Sequence, residues 1–324
     1  MSTVTSEFCF ILSSTGKAET VALNRVEKIK NKSLWIHIDG ENTAHTDWLR
    51  QKSGLDEIVI DNLLDEDPQP RYFTLPQGIF VVLRGVNLNR HADVEDMIAL
   101  RIWIDRRRMI SVSHQKLPSV EKVGELLEKG KGPSTPMNVF IRIAEVMNDG
   151  ISSVVSHIED ELDDIEEAVI DADRPNSNVM RSQISEIRHR ILGLRRYLGP
   201  QRDVFVALKA LDNDALSKKD RIVIREISRD LSKSVEDLDY ARDHITVSQE
   251  ELDSRISLQI SQTMYLLSVI TIVFAPLTLF TGLLGSNIGG IPWNEHPFGF
   301  WYVSFILLGI GILMVLILKW RKWF

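Results

Sequence analysis

Met264 to Leu284 reads MYLLSVITIVFAPLTLFTGLL, twenty-one residues without one charged side chain. A helix of that length covers the roughly 30 Å hydrocarbon core of a bilayer, so the stretch is predicted to be a membrane span. Gly285 to Pro297 (GSNIGGIPWNEHP) is a short loop rich in Gly and Pro, and Phe298 to Leu318 is a second uncharged run of equal length. The second span returns the chain to the side it came from.

The first span carries a distinctive face. Ser254, Ser257, Ser261, Met264, Ser268, Thr271, Ala275, Thr278, Gly282 and Gly285 recur at alternating steps of three and four, a heptad-spaced stripe. All but Met264 are small. Small residues let helices approach closely in lipid, which is one reading. The other is a wet path, because hydroxyls can replace hydration oxygens without trapping a cation by charge. Pro276 supports the second reading, since it frees the Ile272 carbonyl for water or another partner. Two helices cannot enclose water, so a pore requires an oligomer.

The stripe ends in Gly285-Ser286-Asn287, followed by Ile288-Gly289-Gly290-Ile291-Pro292-Trp293. With Pro276-Leu277-Thr278, Gly282 and a large polar part ahead of two C-terminal spans, the chain resembles the CorA superfamily of divalent-cation transporters, whose first span closes in Gly-Met-Asn or a variant. Ser286 departs from the magnesium-type Met, and the Gly-Gly-Ile-Pro-Trp loop looks like that of the ZntB zinc-transporter branch. The resemblance implies a homopentameric funnel with the first spans lining the pore: Ser261, Met264, Ser268, Thr271, Ala275, Thr278 and Gly282. It also implies that Asn287 offers its side-chain carbonyl to a largely hydrated cation at the mouth, beside Gly285 and Ser286.

Two loop residues join that mouth. Glu295 is the sole acid from Met264 to the C-terminus, and repeated around an oligomer it makes a ring of negative charge that attracts cations. His296 favours zinc over magnesium, because imidazole suits zinc. A solvated loop tip also accounts for both, and the family resemblance favours the mouth for Glu295 only.

Composition agrees with a membrane protein that lies mostly in water. The chain has 324 residues, 26% of them charged, with a net charge of −7, which argues against nucleic acid as a partner. Met1 to Thr20 lacks the basic start and apolar run of a secretory signal. Arg255 precedes the first span and Lys319, Arg321 and Lys322 follow the second, whereas the loop between holds no Lys or Arg. By the positive-inside rule both termini are cytosolic, and the resemblance makes the membrane a bacterial inner one. Trp293, Trp301 and Tyr302 are expected at the outer interface, Tyr265, Trp320 and Trp323 at the inner one. Cys9 is the one cysteine, which excludes an intrachain disulfide framework.

The expected fold class is an α+β membrane protein: an α/β domain (1–132), a helical stalk (133–262) and the two spans with their loop (263–324). Phe8 to Leu12, Leu34 to Ile38, Tyr72 to Leu75, Ile79 to Val86, Met97 to Ile104 and Met109 to His114 read as strands, the last two as a hairpin around Asp105-Arg106-Arg107. Asp47 to Lys52, Glu57 to Leu64 and Ser119 to Lys129 read as helices, with the acidic turn Asp65 to Pro68 stopping the second. Gly130-Lys131-Gly132-Pro133 marks the boundary. A helix with an acidic face (Glu159 to Asp171) then precedes one rich in arginine (Arg181 to Arg202), across the turn Asp173 to Asn176. Their opposite charges predict a paired hairpin, and acidic helices could also concentrate cations. A third helix starts at Ser217 with Asp220 as a capping-box partner and continues into the first span, about 100 Å in all. Such a rod would let the cytosolic part gate the pore.

Other candidate sites are weak. Gly124 to Lys131 resembles a phosphate loop, but its spacing is one residue too long and Gly132 stands where Ser or Thr is needed. His91, Asp93, Glu95 and Asp96 fit a polar loop, and His157 with Glu161 makes at most two zinc ligands. His37, His45, His114, His189 and His244 have no companion spacing. With no nucleophile motif or paired catalytic carboxylates, an enzyme is not expected. The favoured function is transport of Zn2+, as substrate rather than cofactor. Import is favoured and can be passive, because a divalent cation gains about 4.6 kcal/mol per 100 mV of inside-negative potential; both directions and proton coupling are associated with the zinc branch and stay open. A CorA-type magnesium, cobalt or nickel channel is the alternative, and a membrane-tethered sensor without transport the second.

Overall fold

The computed structural model describes residues 7–29, 31–89, 92–171, 177–210, 216–286, 289, 291–292 and 296–321. It divides into two compact units, Met1–Gln249 and Glu250–Phe324.

The first unit is built on a seven-stranded sheet. Its strands are β1 (Phe8–Leu12), β2 (Glu19–Thr20), β3 (Ser33–Asp39), β4 (Arg71–Leu75), β5 (Gly78–Gly85), β6 (Ile98–Asp105) and β7 (Arg108–Ser113), in spatial order β2-β1-β3-β7-β6-β5-β4. β3 and β7 pair in parallel, Ile36 opposite Ile110, and every other pair is antiparallel. The β6–β7 hairpin forms where Asp105 to Arg107 predicts it. Both faces of the sheet are covered, which is why β5 is apolar at successive positions from Ile79 to Leu83 rather than at alternate ones. On one face Cys9, Ile36, Ile38, Phe80, Val82, Trp103 and Ile110 pack with α1 (Thr43–Lys52) and α2 (Glu57–Leu63) through Trp48, Leu49, Val59 and Leu63. The alternate residues of β5, Val81 and Leu83, point the other way, to the face covered by α4 (Pro136–Asp171), against which α3 (Pro118–Glu128) packs. Gly85 lets the layers approach closely: a Cβ there would come 2.9 Å from Leu117 and 3.0 Å from Met147, so those side chains would have to shift.

The differences from expectation are local. Helix α1 begins four residues before Asp47, because the Asn42 side chain accepts the Ala44 N–H at 3.0 Å and caps it. β2 and a 3-10 helix (Leu23–Lys28) carry no apolar periodicity and are invisible in sequence. The turn after α2 is held by two buried arginines. Arg101 donates to the carbonyls of Asp65 and Glu66, each at 2.6 Å, and Arg84 donates to Pro68 O at 3.2 Å and to the Asp67 carboxylate. Burial, with Arg84 close by, pushes the Arg101 guanidinium down to about 10.

The Gly130–Pro133 turn lies inside the first unit, since α4 packs on the sheet. Helix α5 (Ser177–Ala210) and the first part of α6 (Lys218–Leu284) complete this unit. Ser217 and Asp220 form the reciprocal cap predicted: Ser217 N–H donates to Asp220 at 2.9 Å and Asp220 N–H to Ser217 Oγ at 3.1 Å. Ile224, Ile227, Leu231, Val235, Leu238, Ala241 and Ile245 are buried as the apolar face of α6. The arginines of α5 do not all answer α4. Arg190 pairs with Glu161 of α4, but Arg195 grips Asp239 of α6 at 2.9 and 3.2 Å and Arg188 reaches Gln249 at 2.6 Å. The turn 172–176 lies outside the described residues.

The second unit holds the rest of α6 and α7 (Gly299–Trp320). Both helices are long and apolar enough to cross a membrane. The expected first span ends with α6 at Leu284. The second begins at Phe298, the N-cap of α7, and stops two residues short of the end of that helix.

Candidate functional site

In the second unit the pattern of exposure sorts the faces of α6. Val269 is buried and Val273, Pro276, Leu277 and Leu284 are half-buried, steps of three, four and seven that trace one side. On α7 the shielded row is Gly299, Val303, Leu307, Gly311, Met314 and Leu318, again at steps of three and four, with half-buried Ser304 and Ile310 beside it. Gly311 faces Leu277, since a Cβ there would stand 3.6 Å from the Leu277 side chain. These two rows form the seam of an antiparallel helix pair.

The small-residue stripe lies elsewhere. Ser261, Met264, Ser268, Thr271, Ala275, Thr278 and Gly282 are all exposed, and at 3.6 residues per turn they centre about 160° from the seam. Helix α7 therefore leaves the whole stripe open. Its hydroxyls are turned on their own helix: Ser268 donates to Met264 O at 2.8 Å, Thr271 to Leu267 O at 2.9 Å and Thr278 to Phe274 O at 2.9 Å. These three donors are satisfied internally, so what Ser268, Thr271 and Thr278 offer outward is oxygen lone pairs, the kind of group that faces a cation's hydration shell. Around Gly282 a Cβ would meet nothing within 4 Å. Pro276 sits among the shielded residues, off the stripe, so the wet path gains nothing from its own position.

Where α6 ends, the backbone closes on itself. Gly285 N–H donates to Thr281 O at 2.9 Å, and Ser286 Oγ donates to Leu283 O at 2.8 Å. Asn287 and Glu295, with Ile288, Gly290 and Trp293, lie outside the described residues. His296 serves the helix that follows it. Its Nδ1 accepts the Phe298 N–H at 3.1 Å and its carbonyl accepts the Gly299 N–H at 2.9 Å, capping α7. A neutral His296 thus carries its proton on Nε2, and a metal would have to displace either that proton or the cap.

The remaining candidates in the first unit are engaged in structure. Glu161 is 3.2 Å from His157 but is held by Arg190, which keeps its carboxyl below the usual range. Glu95 packs against Gly193 of α5, where a Cβ would come within 2.6 Å of it; His91 lies outside the described residues. Gly124 sits within α3 against Phe8 and Phe10, and Gly130 ends that helix in a left-handed conformation, φ 72°. His37 is buried, bonded to Ser111 Oγ at 2.9 Å, and burial lowers it to about 4. Cys9 is buried and its thiol is pushed up to about 12. Among the described residues no three His, Cys, Asp or Glu side chains are grouped to hold a metal. Sequence reasoning missed the seam, although the heptad Gly299, Val303, Leu307, Met314 and Leu318 on α7 was there to be read.

Comparison with known proteins places this geometry. Residues 30–322 match the family model described as CorA-like Mg2+ transporter protein. The divalent cation transporter CmaX of Pseudomonas aeruginosa is 36% identical over 318 residues, 97% of this chain and 95% of the relative. The zinc transport protein ZntB of Yersinia enterocolitica is 31% identical over 289 residues, 89% and 87% of the two chains. The solved structure of full-length CmaX superposes with a TM-score of 0.84 at 35% identity, covering all of both chains. These relatives are transporters rather than enzymes. An α/β unit leading through one long helix to a pair of apolar helices, matched from residue 30 to residue 322, makes the chain a member of the CorA-like family of metal-ion transporters.

Proposed function

We propose that this divalent-cation transporter of the CorA family carries zinc across a bacterial cytoplasmic membrane, through a homo-oligomeric pore walled by the α6 stripe. The observation that carries the reading is the open stripe: a row of small and hydroxyl-bearing residues interrupted by Met264, opposite the seam with α7, in which the donors of Ser268, Thr271 and Thr278 are satisfied and their lone pairs face outward. In lipid such a row needs a partner, and copies of itself around an axis supply one while leaving a polar lumen. A pentamer is the assembly the family resemblance implies. Asn287 then closes the lumen at the outer mouth with Gly285, Ser286, Glu295 and His296, and both termini stay cytosolic. Zinc is substrate here, with no resident cofactor, and an inside-negative potential drives it inward.

A second reading has its own support. The polar groups of the described stripe are the hydroxyls of Ser261, Ser268, Thr271 and Thr278, and the Nδ1 of His296 is committed to a hydrogen bond, so harder cations such as magnesium suit the lining. Zinc flux into liposomes under an imposed potential, with magnesium as competitor and Asn287→Ala as control, separates the two. Flux that magnesium barely inhibits and that the substitution abolishes supports zinc; strong inhibition by magnesium supports the alternative. Folded, oligomeric protein that passes neither ion, with or without a pH gradient, would leave a membrane-tethered sensor.

A further inference from the structure

A cavity of about 330 Å3 opens at one end of the sheet, where the 3-10 helix, the start of β3, the end of α1 and the β6–β7 turn meet. Its floor is apolar, with Val26, Leu34 and Trp48 buried. Its rim is cationic: Lys32, Lys52, Arg107 and Arg108 stand against two carboxylates, Glu27 and Asp105. In a chain of net charge −7 this local excess runs against the average.

The two carboxylates do not neutralise that rim. Asp105 accepts the backbone N–H groups of Arg107 at 2.8 Å and Arg108 at 2.9 Å, and the Arg108 Nε at 2.9 Å, so its oxygens are occupied. Arg108 is completed by Ser53 O at 2.6 Å. Arg107 has no carboxylate partner for its guanidinium among the described residues. Lys52 comes no closer than 4.0 Å to Glu27, and Lys32 no closer than 4.0 Å to Glu19, in exposed pairs that hold little. The Trp48 indole N–H is buried without a hydrogen-bond partner. Lys32, Lys52 and Arg107 thus line a pocket with an aromatic floor, and the ion pairs that folding gives the two lysines are long and exposed.

We propose that this cavity binds a small phosphate-bearing anion, with its phosphates on Lys32, Lys52 and Arg107 and any apolar body over Trp48. A multiply charged phosphate group matches several separated cations better than one carboxylate does, and the planar guanidinium of Arg107 suits phosphate oxygens. The ligand is a nucleotide or an inorganic polyphosphate. The site is independent of the α6 stripe, so it stands or falls apart from the conducted ion.

Isothermal titration of the purified full-length chain in metal-free buffer, with pyrophosphate, ATP, adenosine and sulfate, tests this. Pyrophosphate and ATP should bind at least about tenfold more tightly than sulfate, and more weakly as salt rises. Arg107→Ala and Lys32→Ala should each weaken that binding by about tenfold or more with unchanged thermal unfolding, whereas Arg106→Ala, outside the cavity, should not. ATP tighter than pyrophosphate identifies a nucleotide; equal affinities identify the inorganic anion. Absent binding, binding no tighter than sulfate, adenosine as effective as ATP, or affinity indifferent to Arg107 and Lys32 would each overturn the proposal.

Discussion

Strand β5 and the stretch Met264–Leu284 are both strongly apolar, yet their side chains meet opposite fates. From Ile79 to Gly85 every residue of β5 is buried, by helices of the same chain. Between Met264 and Leu284 Val269 alone is buried, and Met264, Leu279 and Leu283 are each more than half exposed. Apolar surface of that extent is not left to water. The contrast teaches that hydrophobicity states a need for cover without naming the cover: neighbouring elements for the sheet, lipid and further copies for the helices.

Substitutions can break that contrast. Phe80→Ala, at a site with no exposure, should cost about 3–5 kcal/mol in unfolding of the sheet unit, while Leu279→Ala should change it by less than about 0.5 kcal/mol. Equal losses in thermal or denaturant melts would erase the distinction. Arg101→Met keeps the volume but strips donors from the Asp65, Glu66 and Ala99 carbonyls, and about 3 kcal/mol should be lost. A neutral outcome would mean water enters that turn.

His37 sharpens the same point through pH. Its folded value is depressed to about 4, so below the unfolded value near 6.5 the unfolded chain binds the proton that the folded chain refuses. Stability should therefore fall as pH drops from about 6.5 toward 4, by on the order of 3 kcal/mol in all, and His37→Gln should flatten that slope. An unchanged slope would assign the acid sensitivity elsewhere. On the open stripe the effect is expected in transport rather than in stability: Thr278→Leu should leave melting untouched but reduce ion flux by about tenfold, equivalent to about 1.4 kcal/mol. Undiminished flux would remove Thr278 from the lumen.

Much of the fold is legible in the chain alone. Six strands, the hairpin at Asp105, the Ser217 cap and the two apolar runs follow from periodicity and turn chemistry, which are local. What escapes is local structure without an apolar signal, such as β2 and the Asn42 cap, and everything set by distant partners. The division of the α5 arginines between Glu161 and Asp239 depends on which helix packs against which. The buried pair Arg84 and Arg101 reads in sequence as ordinary strand charge. His296 reads as a metal ligand, yet its Nδ1 is taken by the Phe298 N–H.

By itself the sequence determined that two uncharged runs of twenty-one residues end the chain and that a heptad of small residues marks the first. Chain length, charge and helical period are written residue by residue. Only the tertiary structure decided that the heptad faces away from α7, because a helix has several faces and its neighbour's packing selects which one is closed. That choice leaves the hydroxyl-bearing face of α6 open, with the donors of Ser268, Thr271 and Thr278 already bonded to their own helix and their lone pairs outward.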